Sequence, residues 1–420
     1  MNNRKDGSEE TQMIAKVGKA RSLLTGSLIL FLCCLLSGCG SKEKISISIW
    51  TAEGKVGLME DYMEEFQRVH EDEVEIDYRI SKEEEDTCRE TVLANPDGAA
   101  DIFAFADDQL DDLKDAGVLL EFETDVDLAF ERFGGKDSVA YESVVRDGKM
   151  YAIPETANGY FMYYNKKYFR DDDVKTLDRM VEIAGNTQKK ITMDFSSGWY
   201  IYSFFKGAGL DLHLDESGQK NICNWNAKDT PHTGLAVAEA ITRVVGKRGF
   251  EARGDDGFVE GVQDGTVIAG INGAWNADKV KEAWGEDYAA VKLPTFTVDD
   301  KQEQMASFTG YKVLGINAGT KHPDWCRLFV EFITSTDNQL TEYEKVGEVP
   351  ANLDVANLDQ VKDDPVVKAL ADQSKYATLQ RVATPYWDAT TKFGAAIASG
   401  NPDKRDLQQL LDEMVKGITA

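Results

Sequence analysis

From residue 45 onward, stretches of period two alternate with stretches of helical period. Ile45, Ile47 and Ile49 are separated by serines, the pattern of a strand with one buried face. Leu58, Met59, Tyr62, Met63, Phe66 and Val69 then recur at helical spacing. Val74, Ile76 and Tyr78 return to alternation, and a charged helix is expected over 82–94, ended by Asn95-Pro96-Asp97-Gly98. Residues 102–105 form an apolar strand, and a helix over 108–116 follows, with Gly117 at its C-terminus. Strand and helix in turn predict an α/β fold with a largely parallel sheet. Further on, strands are expected at 150–153, 160–164, 267–271 and 312–316. Helices are expected near 198–206, 233–247, 324–333, 386–398 and 404–417. No fixed-period repeat and no low-complexity linker interrupts this order.

The 420 residues suit about two folding units. With 47 basic against 74 acidic residues, the net charge of −27 would repel a phosphate backbone, so nucleic acid is excluded as a partner. The apolar fraction of 42% is too high for a disordered chain.

One apolar run stands apart. Lys16, Lys19 and Arg21 precede residues 23–36, and the run ends in Leu36-Ser37-Gly38-Cys39. A basic flank and a short apolar core describe an export signal, too short to span a bilayer. The last four residues resemble the bacterial lipobox, which implies cleavage after residue 38, lipidation of Cys39 and a polar anchor linker over 39–44. Asp6, Glu9 and Glu10 are unusual ahead of such a signal and make Met13 a second candidate start. The chain would then be exported and held at the outer face of the cell membrane by lipid. Of the remaining cysteines, Cys88, Cys223 and Cys326 are odd in number and widely spaced. They read as small buried residues, not as a disulfide or zinc framework.

Catalytic signatures are missing: there is no HExxH, GxSxG, GxxxxGK[ST] or GxGxxG. His70, His213, His232 and His322 are scattered without metal-ligand spacing and read as surface or loop residues. The acidic run from Asp107 to Asp115 lacks the glycine and terminal glutamate of a calcium loop. No cofactor or metal is called for, and the chain reads as a non-enzyme. What stands out is aromatic side chains beside turn residues: Trp199 and Tyr200 after Ser196-Ser197-Gly198, Trp275 after Asn272-Gly273-Ala274, and Tyr386-Trp387 after Thr384-Pro385. An aromatic face with hydrogen-bonding groups at its rim matches a pyranose, with its C–H faces and hydroxyl edges. The same residues also suit an ordinary core.

Several motifs carry a family resemblance. They are Ile49-Trp50 leading to Glu53-Gly54-Lys55, Asp101-Ile102-Phe103 leading to Asp107-Asp108-Gln109, Asp147-Gly148-Lys149 with Ala152-Ile153-Pro154, and Tyr164-Asn165-Lys166. Ile271-Asn272-Gly273-Ala274-Trp275, Leu293-Pro294-Thr295-Phe296, Gly315-Ile316-Asn317-Ala318, and Tyr386-Trp387 before Ala398-Ser399-Gly400 follow. In this order the chain resembles the bacterial maltose/maltodextrin-binding proteins of ABC importers. The resemblance implies a two-lobed periplasmic-binding-protein-like fold, each lobe a mainly parallel sheet flanked by helices. It implies lobes of 45–156 with 314–360 and of 161–308 with 366–420, closing on sugar by a hinge. It also implies a monomer that captures maltodextrin-type α-glucan oligosaccharides and passes them to membrane-embedded ABC permease subunits. The ligand contacts it carries over are Glu53, Lys55, Phe105 (in place of a stacking Trp), Asp107, Asp108, Gln109, Asn158, Trp199, Tyr200, Trp275, Tyr386 and Trp387. Gln109 stands where the family often has Arg, and Asn158 and Ser197 each stand where it has Glu, so the sugar's identity stays open. The alternatives are a binding protein for another oligosaccharide such as a β-linked glycan, an extracellular carbohydrate-active enzyme, and a surface adhesin without a transporter.

Overall fold

The computed structural model describes residues 42–420. The export signal and Cys39 lie outside that range. Among the described residues, no helix is long and apolar enough to cross a membrane.

Strand β1 (Glu43–Thr51) buries Ile45, Ile47 and Ile49 on one face, as their alternation requires. Helix α1 (Val56–Val69) lays Leu58, Met59, Tyr62, Met63 and Phe66 on that face. Val69, at the end of the same stripe, is exposed instead. Strand β2 (Val74–Lys82) pairs parallel with β1 as far as Thr51↔Lys82. The helix expected over 82–94 is shorter, Cys88–Ala94: the ladder keeps Lys82 in the sheet, and a turn over 85–87 precedes the helix. Strand β3 (Ile102–Ala106) lies parallel on the other side of β1.

Strand β4 (Ile153–Asn165) is far longer than expected and runs straight through Pro154. The missing N–H is tolerated because the register shifts there: Lys312 pairs with Thr156 and Val313 with Pro154, which leaves Glu155 as the extra residue of a bulge. Strand β5 (Lys190–Met193) precedes helix α2 (Gly198–Gly207). Strands β6 (Phe250–Ala252) and β7 (Val267–Gly273) both lie parallel to β5. Strand β8 (Tyr288–Val291) pairs with β4. Strand β9 (Ser307–Ile316), helix α3 (Thr336–Val346), strand β10 (Ala377–Leu379) and helix α4 (Pro385–Ala398) complete the set needed below.

The ten strands form one sheet in the order β6-β5-β7-β4-β9-β3-β1-β2, with β8 beside β4 and β10 beside β9. Each flank is a parallel triplet, and the antiparallel pair β4–β9 joins them. The α/β fold is therefore built as two lobes on one continuous sheet. One apolar cluster packs on β1, β2, β3 and the near ends of β4 and β9, through Ile47, Phe103, Ile153 and Val313. Two further clusters pack on the opposite faces of the other triplet. Tyr160, Met162 and Tyr164 of β4 enter one, and Phe161 and Tyr163 enter the other, as strand alternation dictates. The segment bearing Val349, Val355 and Val361 belongs to the cluster around Phe161 and Tyr163.

Candidate functional site

A cavity of about 850 Å³ opens where the ends of β3, β4 and β9 meet the segments that lead into α2 and α4. Its first wall is the turn Asp107–Gln109, set directly after β3. Asp107 is buried, and its Oδ1 accepts the Tyr311 backbone N–H at 2.7 Å. It fits because position 310 is glycine: a Cβ there would collide with Asp107 Oδ1. Arg381 Nη1 forms an ion pair with Asp107 Oδ2 at 2.9 Å, and that oxygen has no further hydrogen-bond donor. Burial pushes the Asp107 carboxyl above the usual range, against the pull of Arg381. Asp108 is pushed up to about 7, by burial and then by the neighbouring Asp107 charge. Gln380 donates to Asp108 Oδ2 at 2.6 Å.

The second wall is aromatic. Ser197 caps α2 and Trp199 follows it, half-buried, stacked on Phe308 with ring centroids 5.6 Å apart. Helices α2 and α4 approach closely at Gly198, where a Cβ would strike Thr390 and Tyr386. That contact brings Trp199 and Trp387 to one cavity. Trp275 is exposed on the far rim, and its indole N–H donates to Asp255 Oδ2 at 2.7 Å. Asp255 is itself held by Asn272 at 2.9 Å. Asn158, half-buried on β4, lies between the two walls. Three buried polar atoms on cavity residues have no hydrogen-bond partner: Asp107 Oδ2, Trp199 Nε1 and Arg381 Nη2.

Asp107, Asp108, Gln109, Asn158, Trp199, Trp275 and Trp387 thus meet around one space, and five expected residues do not. Gln109 itself points back into the protein, bonding the carbonyls of Glu85 and Asp86 at 2.8 and 2.9 Å and the Arg89 N–H at 2.9 Å. It braces the start of the helix Cys88–Ala94. Phe105 is fully buried, packed on Phe103 in the first cluster, because it faces inward on β3. Tyr200 and Tyr386 are also buried: Tyr386 meets Trp387 edge-on at 5.0 Å, and Tyr200 packs on Tyr160, which in turn meets Trp199. Tyr386 donates to the Gly198 carbonyl at 2.7 Å. Glu53 is exposed and pairs with Lys82 at 2.6 Å.

Lys55 is displaced most clearly from its expected role. It is buried, with its ammonium 2.9 Å from Glu155, 2.9 Å from Glu342 and 3.0 Å from Glu348. Lys312 joins the group, 2.6 Å from Glu348 and 3.5 Å from Glu85. Burial alone would strip Lys55 of its proton, but the surrounding carboxylates outweigh it and hold its pKa well above the usual value. Burial pushes Glu342 up to about 8, whereas Lys55 and Lys312 overcome burial at Glu348 and hold it at about 2. The cage sits where β4, β9 and the end of α3 converge. Its bulge residue, Glu155, also gives its carbonyl to Gln339.

His232 corrects another expectation. It is buried, not exposed, with Nδ1 2.9 Å from Asp299 and Nε2 3.1 Å from Glu303, and it fastens the hairpin Thr295–Val298/Lys301–Gln304 to the helix Gly234–Val245. Cys88 and Cys326 are buried, while Cys223 is half-buried, and all three are free. Among the described residues, no group of three or more His, Cys, Asp or Glu could hold a metal ion.

Gln380 and Arg381 line the cavity and were missed by sequence reasoning, as was Asp255, which anchors Trp275 from outside the lining. Arg381 and Gln380 lie a few residues before Tyr386-Trp387, where only proximity to those aromatics could have pointed to them.

Residues 61–369 match the family described as "Bacterial extracellular solute-binding protein". The chain belongs to this family. A galactooligosaccharide-binding protein of Bacillus subtilis is 22% identical over 402 residues, 90% of this chain and 92% of that one. A maltooligosaccharide ABC transporter solute-binding lipoprotein of Streptococcus pneumoniae is 26% identical over 311 residues, 67% of this chain and 70% of that one. A solved structure with acarbose superposes with a TM-score of 0.78 at 30% identity, over 90% of this chain and 99% of that one. In this solute-binding protein the cavity described above lies between the two lobes, at the point where the antiparallel strands cross.

Proposed function

We propose that this solute-binding protein captures α-linked glucose oligosaccharides and hands them to an ABC permease. One observation carries the reading. Three tryptophans line a cavity of about 850 Å³, a size usual for small-molecule sites, and Asp107, Trp199 and Arg381 on its wall each carry a buried polar atom short of a hydrogen-bond partner. A sugar ring covers an aromatic face while its hydroxyls supply the missing donors and acceptors. A ligand touching both walls favours the closed arrangement over the open one, and that difference in affinity is what shifts the population. Residues 45–156 with 314–360 and 161–308 with 366–420 would be the moving lobes, save that Val349 and Val355 pack on the second, with β4 and β9 as two of their crossovers. The maltooligosaccharide lipoprotein of S. pneumoniae and the acarbose-bound neighbour support the α-glucan class. The protein would bind its sugar without cleaving it, as a monomer tethered to the outer membrane face through lipidated Cys39.

A second reading is favoured by the galactooligosaccharide-binding protein of B. subtilis, which matches over 402 residues. Calorimetric titration with maltotriose, cellotriose and a galactosyl trisaccharide separates the two. Saturable heat with maltotriose alone is expected. Heat with the galactosyl sugar alone would transfer the protein to the second class.

A further inference from the structure

Two consecutive residues on one segment meet two consecutive residues on another. Gln380 donates to Asp108 at 2.6 Å, and the Arg381 guanidinium lies 2.9 Å from Asp107. The acidic pair leaves the end of β3 and is fixed to β9 through the Tyr311 N–H. The other pair leaves β10 and leads into α4. Asn221 holds that segment, donating to Ala383 O at 3.1 Å and Ile418 O at 3.0 Å and accepting from Ala383 N at 2.8 Å. The four side chains therefore reach the cavity from the two separate apolar clusters.

A plain cross-link would saturate itself, because an arginine facing a carboxylate ordinarily forms two parallel hydrogen bonds. This one does not: Arg381 Nη2 is buried without a partner, and Asp107 Oδ2 meets only Arg381 Nη1. Each such group costs roughly 1–3 kcal/mol unless something else satisfies it. A sugar hydroxyl donates one hydrogen bond and accepts others, so it is satisfied by an acceptor and a donor side by side. Asp107 beside Arg381, and Asp108 beside Gln380, are two such pairs in sequence. Two adjacent hydroxyls on one ring present the complementary set.

Resting on the oligosaccharide reading above, we propose that Gln380 and Arg381 contact the ligand directly. With Asp107 and Asp108 they form a bracket that selects a pyranose ring bearing two free neighbouring hydroxyls. The bracket adds a polar clamp to the tryptophan faces and fixes which ring of the chain lies at this end of the cavity.

The test is a calorimetric cycle with the mature protein. The ligands are maltotriose and its monodeoxy derivatives lacking the C2 or C3 hydroxyl on each ring. The parent should lose about tenfold or more in affinity for the derivative whose missing hydroxyl meets Arg381, as expected for a hydrogen bond to a charged group. Arg381→Gln should lose a similar factor for maltotriose, and should then bind that derivative no worse than the complete sugar. Such non-additivity marks direct contact, and a merely structural role gives losses that multiply independently. If Arg381→Gln lowers the melting temperature, Arg381→Lys, which keeps the charge beside Asp107 but not the fork, carries the same comparison. Independent losses, or unchanged affinity in the variant, would overturn the bracket alone. A parent that binds no oligosaccharide would overturn the oligosaccharide reading and the bracket together.

Discussion

The Lys55 ammonium lies 2.9 Å from the Glu155 carboxylate, and neither side chain reaches solvent. The pair belongs to the cage that includes Glu342, Glu348 and Lys312, at the junction of the two crossing strands. Removing one partner from a buried charged group leaves the others uncompensated. Lys55→Met should therefore destabilise the folded chain by roughly 3–5 kcal/mol, seen as a large fall in melting temperature. Its maltotriose affinity, measured well below that temperature, should change little, because Lys55 does not line the cavity. A variant as stable as the parent but unable to bind sugar would return Lys55 to the ligand contacts.

Asp108 gives a pH dependence of known sign. Its pKa stands at about 7 in the folded chain, above the ordinary 3.8. The folded state therefore holds a proton that the unfolded state has released. Its contribution to stability is complete below pH 3.8 and is lost as pH rises through 7. Asp108→Asn should raise the melting temperature of the ligand-free protein above pH 7 and flatten its pH profile between those limits. Above pH 7, where Asp108 is ionised, the same variant should bind maltotriose more weakly, since an acceptor-only carboxylate becomes an amide.

The aromatic wall predicts unequal losses. Trp387→Ala and Trp199→Ala should each weaken maltotriose binding roughly 10- to 100-fold, in the range of buried aromatic contacts. Asp255→Ala should cost less, because it leaves all three rings in place and removes only the carboxylate that anchors the Trp275 indole N–H and Asn272. Calorimetry and tryptophan fluorescence check the order. Equal affinity in Trp387→Ala would remove that ring from the site.

The anchor predicts a change of compartment. Cys39→Ser should move the protein from the membrane fraction to the medium or the soluble fraction, and a blot of fractionated cells reads this directly. Membrane retention in the variant would contradict lipidation at Cys39.

The fold could be read from local pattern wherever one face of an element is buried. Ile45, Ile47 and Ile49 alternate because one side of β1 packs on a core, and the stripe from Leu58 to Phe66 is helical for the same reason. Pattern failed where tertiary pairing decides. Lys82, expected to open a helix, instead ends a ladder with β1, and Pro154 hides a strand that survives through a bulge. At the cavity, the three tryptophans that line it could be picked out because large aromatics beside turn residues are unusual. Lys55 and Phe105 misled because a motif position does not say which way a side chain points: a fold can turn the same residue into a cage or a core. Arg381 and Asp255 gave no local signal, since their roles depend on partners more than a hundred residues away or on the packing of a neighbouring loop.

The most direct measurement is a crystal structure of the mature protein grown with maltotriose. The account predicts sugar rings against Trp199, Trp275 and Trp387, with hydroxyls at Asp107, Asp108 and Arg381 and Lys55 still enclosed by its glutamates. Sugar bound elsewhere, or a cavity lined by these residues that stays free of sugar at saturating concentration, would contradict it.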